Sequence, residues 1–356
     1  MNTEDINDKR AIKDFKGVTF SNYKRADSRK ELLNSLIEGK VEPACYWSIE
    51  FICAGHFLEL WDILLVFYSK YINVCNPKFP LYMQLRFNNF KDIIISGYVD
   101  NEIKLRNNAK VRALFAEVVA ILCLSTKAHA LSHVKVNGSN LSISDIPEKL
   151  RADSVNYGNA FFKKEDPKEL FIAINEFVYN LRNTRNAREA CYWFEWMLGY
   201  EVMCKNKNKH KINCSARDFM PVENKYRKDI IWLVWEIILH ECDKMPIKNI
   251  INALFELFCI KFKPSSKTKR RFLIYNALTF ITNGVDTSIN IYTEELKITN
   301  IKNKINTIYK QVKKNEITPK TDYLFNNSIA ERGNLENTIA KLETMNTINT
   351  VIPRNK

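Results

Sequence analysis

The run Ala44-Cys45-Tyr46-Trp47 returns as Ala190-Cys191-Tyr192-Trp193, and a second pair of segments repeats behind it in the same order. Leu60-Trp61-Asp62-Ile63-Leu64-Leu65 is echoed by Val234-Trp235-Glu236-Ile237-Ile238-Leu239. A shared tetrapeptide can arise by chance, but two matched segments in one order point to tandem duplication of a structural unit. Every tryptophan, namely Trp47, Trp61, Trp193, Trp196, Trp232 and Trp235, falls in these repeated segments or within about three residues of them. Indoles gathered this way predict core anchors, with Trp47, Trp61, Trp193 and Trp235 setting the units.

Both units read as helical. Trp61, Leu64, Leu65, Tyr68 and Ile72 recur at spacings of three and four, as do Val111, Leu114, Phe115, Val118 and Leu122. Only nine Gly and ten Pro serve 356 residues, too few turn formers for the hairpins of an all-β chain. A hydrophobic content of 46% is enough for a sizeable core, in two domains or one large helical one.

Residues 1–27 mix both charge signs without apolar periodicity and read as a flexible arm. Ser28-Arg29-Lys30-Glu31 has the form of a capping box and predicts the first helix start. Gly55 is placed to end the helix that begins at Pro43 in a left-handed conformation. Asp166-Pro167-Lys168-Glu169 is a second helix start, with Asp as cap and Pro at the first helical position. The expected organisation is a first module over 28–140, a linker over 141–165, and a second module over 166–290 with a Lys- and Asn-rich insertion at 200–227. An amphipathic helix striped by Ile301, Ile305, Ile308 and Val312 follows within 291–356, then a polar tail in which Leu335, Ile339 and Leu342 mark one short helix.

Lys and Arg outnumber Asp and Glu by 54 to 40, a net charge of +14 that favours polyanionic partners or simply keeps the chain in solution. Nine cysteines, most of them in apolar stretches, fit buried thiols in a reducing compartment better than a disulfide framework. The polar N-terminus lacks a signal core, and no apolar run reaches the length of a membrane span. A soluble, intracellular chain is expected.

No closely spaced glycines precede a Lys-Ser or Lys-Thr pair, so a phosphate-cradling loop for nucleotide triphosphates is excluded. Cys204, His210 and Cys214 are zinc-compatible ligand types, but they lack the close paired spacing of a zinc motif, and free thiols in a solvated loop are preferred. Cys53 and His56 lie near enough to suggest a thiolate and imidazole, yet no third orienting residue is evident. Glu50, Asp62, Glu195 and Glu236 sit beside aromatics in the repeated helices; structural ion pairs are the preferred reading over metal-dependent nuclease chemistry. No cofactor is implied. The binding candidate is the run Lys261, Lys263, Lys267, Lys269, Arg270 and Arg271, which could lie along phosphates in a sequence-independent way or be a solvated loop between helices.

Pro43 to Gly55, Asn76-Pro77-Lys78, Arg106-Asn107-Asn108, Asp166 to Phe171 and Ala190 to Leu198 together resemble a family of uncharacterised proteins of nucleocytoplasmic large DNA viruses, over most of residues 10–315. That resemblance implies a viral origin and supplies no activity. The first module also resembles the C-terminal collar of RarA/MgsA clamp-loader-like AAA+ proteins, through Ala44 to Trp47, Gly55, Asn76-Pro77 and the Val111 to Leu124 helix running into Ser125-Thr126-Lys127. It covers about residues 30–135. The family's basic pair falls here at Ile63 and Leu64, and its ATPase half has no counterpart.

These readings converge on an all-α protein of two tandem collar-like modules with a basic helical C-terminal extension. The expected role is that of a non-catalytic, self-associating accessory factor contacting nucleic acid in viral DNA replication or genome handling, located in the host cytoplasm or viral factory. The competing role is a virion or assembly component that meets capsid protein or packaged genome.

Overall fold

The computed structural model describes residues 5–98, 101–141, 147–207, 212–292 and 294–317. Among them the chain is predominantly helical, with no strand. A first run comprises α1 (Arg25–Ile37), α2 (Val41–Cys53), α3 (Phe57–Tyr71), α4 (Phe79–Ile95), the short α5 (Glu102–Arg106) and α6 (Ala109–Leu124). A second comprises α7 (Phe171–Arg182), α8 (Ala187–Lys207), α9 (Ile231–Glu241), α10 (Lys248–Cys259), the short α11 (Ser266–Lys269) and α12 (Arg271–Asn283). A final helix, α13, spans Glu295–Lys313. The short η segments between them are single 3₁₀ turns.

Several helix pairings recur in the two runs. α1 rests on α2, α3 and α6, just as α7 rests on α8, α9 and α12. α6 also receives α2, α3 and α4, as α12 receives α8, α9 and α10. Some contacts of the repeated residues recur as well. Tyr46 meets Trp47 edge-on at 5.3 Å, and Tyr192 meets Trp193 edge-on at the same 5.3 Å. Trp61 packs on Phe87 and Phe90 of α4, and Trp235 on Phe255 and Phe258 of α10. Each pair of phenylalanines is three residues apart, so both rings of the pair fall on one helix face. Neither the Trp61 nor the Trp235 indole N–H meets an acceptor among the described residues.

The halves join through α4 against α10 and α3 against α12. Periodicity explains why α13 docks where it does: Ile298, Ile305, Tyr309 and Val312 form its buried stripe, laid across α2 and α6. Burial of each aliphatic side chain there contributes about 1.5–3 kcal/mol.

Several sequence expectations need correction. The described part of the expected arm is packed rather than free: Ile6, Phe15 and Phe20 are buried. Asn107 accepts from the Ile6 N–H at 2.8 Å and donates to its carbonyl at 2.9 Å, and the Lys9 amide donates to the Ile317 carbonyl at 2.9 Å. α1 begins at Arg25, three residues ahead of the expected cap, and Ser28 lies inside it with its hydroxyl bonded to the Lys24 carbonyl. Asp166 does not cap α7; its carboxylate is buried against Arg217. Trp47 is only half-buried, unlike Trp61, Trp193 and Trp235. The expected insertion opens in helix, because α8 runs through Gly199 to Lys207. Gly199 there gives room to Leu141, whose side chain would lie 3.1 Å from an added Cβ.

Gly55 does adopt the left-handed conformation, at φ +76°, and a Cβ there would lie 2.7 Å from Ile12. Glycine is thus required twice over, by backbone and by contact. The expected short helix at Leu335, Ile339 and Leu342 lies outside the described residues.

Candidate nucleic-acid interface

The six cations proposed for phosphate contact part company in the structure. Lys267 is buried, its ammonium 2.5 Å from Glu201 and 2.9 Å from Asp229. Arg270 is buried as well. It pairs with Asp62 of the other half, at 2.5 Å, and donates to the carbonyls of Phe258 and Ile260 at 2.7 and 2.6 Å. Those carbonyls lie at the C-terminal end of α10, where a helix leaves acceptors unfilled and favours a positive charge. Arg271 is half-buried and bonded to Glu195 at 3.0 Å. Only Lys261, Lys263 and Lys269 stand exposed. The run is therefore a structural clamp in its second half, and the reading of all six as one phosphate-binding loop does not hold.

No motif or spacing foretells the surface that forms beside it. After α6 an extended segment leaves the first half and crosses to the second. Ala128 and Ala130 donate their amides to the carbonyls of Tyr71 and Lys70 at 2.7 and 3.0 Å, and the Asn73 side chain holds the Ala128 carbonyl at 2.8 Å. Farther on, the Val134 amide donates to the Tyr275 hydroxyl at 3.2 Å, and that hydroxyl donates to Glu195 at 2.9 Å. Burial, reinforced by the Glu195 charge, pushes the Tyr275 phenol well up, so the hydroxyl keeps its proton for this bond.

This crossing brings together the last turn of α3 and the first turn of α12. The Lys70 ammonium lies 5.8 Å from the Tyr71 ring centre and 5.5 Å from that of Phe272. His129 meets Tyr71 edge-on at 5.6 Å, and Arg271 touches His133 through its guanidinium. Lys70, His129, His133, Lys135 and Lys269 are exposed, and Tyr71, Arg271 and Phe272 are partly so. The result is a seam in which lysines, an arginine and two imidazoles lie among two aromatic rings. Among the described residues Glu195, buried beneath Arg271, is the one carboxylate bonded into it, through Arg271 and Tyr275 and within 3.5 Å of His133.

The remaining candidates resolve into packing. Cys53 is fully buried and burial pushes its thiol far up, away from any reactive thiolate. His56 lies near the carbonyls of Phe15 and Val18 at 3.3 and 3.2 Å, and burial pulls its ring below the ordinary imidazole range. Glu50 accepts from Ser21, Asp62 from Arg270, and Glu236 from Arg217 and Lys163. These carboxylates sit in separate ion pairs and hydrogen bonds, and no group of three metal-ligating side chains converges among the described residues. Cys204 and Cys214 are buried; His210 lies outside the described residues. No described helix is long and apolar enough to cross a membrane.

A second feature lies on the α4 and α10 side of the join. There a groove of about 1340 Å³ is walled by Phe57, Phe90 and Ile94 from one half and Phe255 and Ile260 from the other. Leu58, Ile95 and Phe219 at its rim are exposed, Ile95 by 73%.

No protein-family profile, curated protein or solved structure matches the chain.

Proposed function

We propose that the protein is a non-catalytic accessory factor that contacts nucleic acid without sequence preference, in the replication or genome handling of a large DNA virus, and that its two helical runs arose by tandem duplication of one unit. The observation that carries the nucleic-acid reading is the seam, where Lys70 lies over the rings of both Tyr71 and Phe272 and the neighbouring Arg271 meets His133. Cations that displace condensed counterions from phosphate give affinity that falls with salt and is blind to sequence. The matching helix pairings and the matching Tyr-Trp and Trp-Phe contacts support the duplication. The viral setting rests on the sequence resemblance alone.

The test is binding of a labelled oligonucleotide to the full-length protein across a salt series. Replacing Lys70, Lys135 and Lys269 together with Ala should weaken binding at least tenfold near physiological salt and lower the salt slope by about 2 to 3. An unchanged slope would reject the seam as the contact surface.

The groove favours a second reading, contact with protein in an assembly, its occupant being a second copy of this chain. Ile95→Asp at the exposed rim should then convert a dimer to a monomer in light scattering without lowering thermal stability. A wild-type protein that is monomeric at high concentration would remove that reading.

A further inference from the structure

We infer that the nucleic acid taken by the seam is single-stranded, an inference that rests on the nucleic-acid reading above and narrows its substrate. The argument comes from the arrangement of rings and charges. The Tyr71 and Phe272 rings flank one ammonium, 5.8 and 5.5 Å from Lys70, so their centres are no more than about 11 Å apart. A span of that size matches one or two steps of an extended single strand, whose bases are free to lie on aromatic surfaces while its phosphates meet the intervening cation. Duplex bases are stacked inside the helix and offer nothing to a ring at the protein surface.

The charges point the same way. A duplex held by charge alone needs a broad array of cations, because sequence-independent affinity comes from the number of phosphates neutralised. Here the seam holds four cationic side chains, Lys70, Lys135, Lys269 and Arg271, and Glu195 offsets part of the Arg271 charge. So few charges neutralise too few phosphates to hold a duplex by charge alone. For a single strand, the rings add the attraction that the small number of charges cannot.

Both rings are held in place. Tyr71 is bracketed by Phe67 at 5.2 Å and His129 at 5.6 Å, and Phe272 is backed by Tyr275 at 5.3 Å. Their partial exposure leaves surface for a base without ordering a loose side chain on binding.

The experiment compares fluorescein-labelled oligo(dT) of fifteen nucleotides with a mixed-sequence duplex of equal length, by anisotropy with the full chain at one salt concentration. Oligo(dT) should bind at least about tenfold tighter, and Tyr71→Leu with Phe272→Leu should erase roughly tenfold of that affinity while duplex binding stays as it was. Ultraviolet crosslinking of oligo(dT) to the unmodified protein should map to Tyr71 or Phe272, which covers the case in which the double variant fails to fold. Equal or tighter duplex binding, or crosslinks that avoid both rings, would overturn the single-strand inference and leave the basic seam standing. Binding of neither probe would remove both.

Discussion

Trp47 and Trp193 hold the same place in the Cys-Tyr-Trp motif, and each meets its neighbouring tyrosine with the same geometry, yet their burial differs. Trp193 is closed over, whereas Trp47 stays half-buried with Tyr23 at its edge, 5.4 Å away. The motif's recurrence was legible in the sequence; the burial was not, because it depends on what a distant segment lays over each ring. Trp61→Ala should therefore cost about 3–5 kcal/mol in urea unfolding, as expected for emptying a core indole site, and Trp47→Ala no more than about 1–2 kcal/mol. Equal losses would show that the two rings are equivalent anchors after all.

Asp166 is the residue whose role the sequence misdirected most. A carboxylate just before a Pro and a helix invites the reading of a cap, but Arg217, fifty-one positions later, takes it with bonds of 2.7 and 2.8 Å. Burial works against the Asp166 charge, but the Arg217 bonds and the amides of Lys163 and Ser215 outweigh it and hold the carboxyl below its usual range. Because the folded-state value is depressed, the stability it contributes is present above the unfolded value near about 4 and is lost as pH falls through the folded one. In Asp166→Asn the acid limb of a stability-against-pH curve should be shallower than in the wild type. Identical limbs would place the titration elsewhere.

At the level of elements, the helices with strong three-and-four spacing were readable, and α3, α6 and α13 form where the pattern places them. The packed N-terminal segment was not. Ile6, Phe15 and Phe20 follow no helical or strand period, since each plugs a gap between other elements instead of lining a face of its own. α13 owes its position partly to Glu117 of α6, which accepts from Tyr82, Arg86 and Lys302 at 2.6, 2.6 and 2.7 Å. Lys302 is the only one of these three donors on α13. Lys302→Ala should speed amide hydrogen exchange across α13 while the core helices α2 and α6 keep their protection. Uniform acceleration throughout the chain would mean that α13 opens only with the whole fold.

On the scale of the whole molecule, charge composition was a poor guide to which cations lie free on the surface, because it cannot say which are already matched by acids far away in sequence. Lys267 and Arg270 are, and they join α11 and α12 to α8, α3 and the end of α10. Arg270→Ala would strand Asp62 and two helix-end carbonyls together, so it should destabilise the fold by about 3–5 kcal/mol. Nucleic-acid affinity measured on the fraction still folded should scarcely change. A large loss of affinity with intact stability would restore Arg270 to the contact surface.

The extended segment that pairs with Lys70 and Tyr71 at one end reaches Tyr275 at the other. Any hinge-like parting of the two halves would break the bonds at one end of that segment, and so disturb the seam. A strand lying across it would thus behave as a suture: occupancy would be felt as mechanical closure, and the thermal midpoint of both halves would climb together as the oligonucleotide concentration rises.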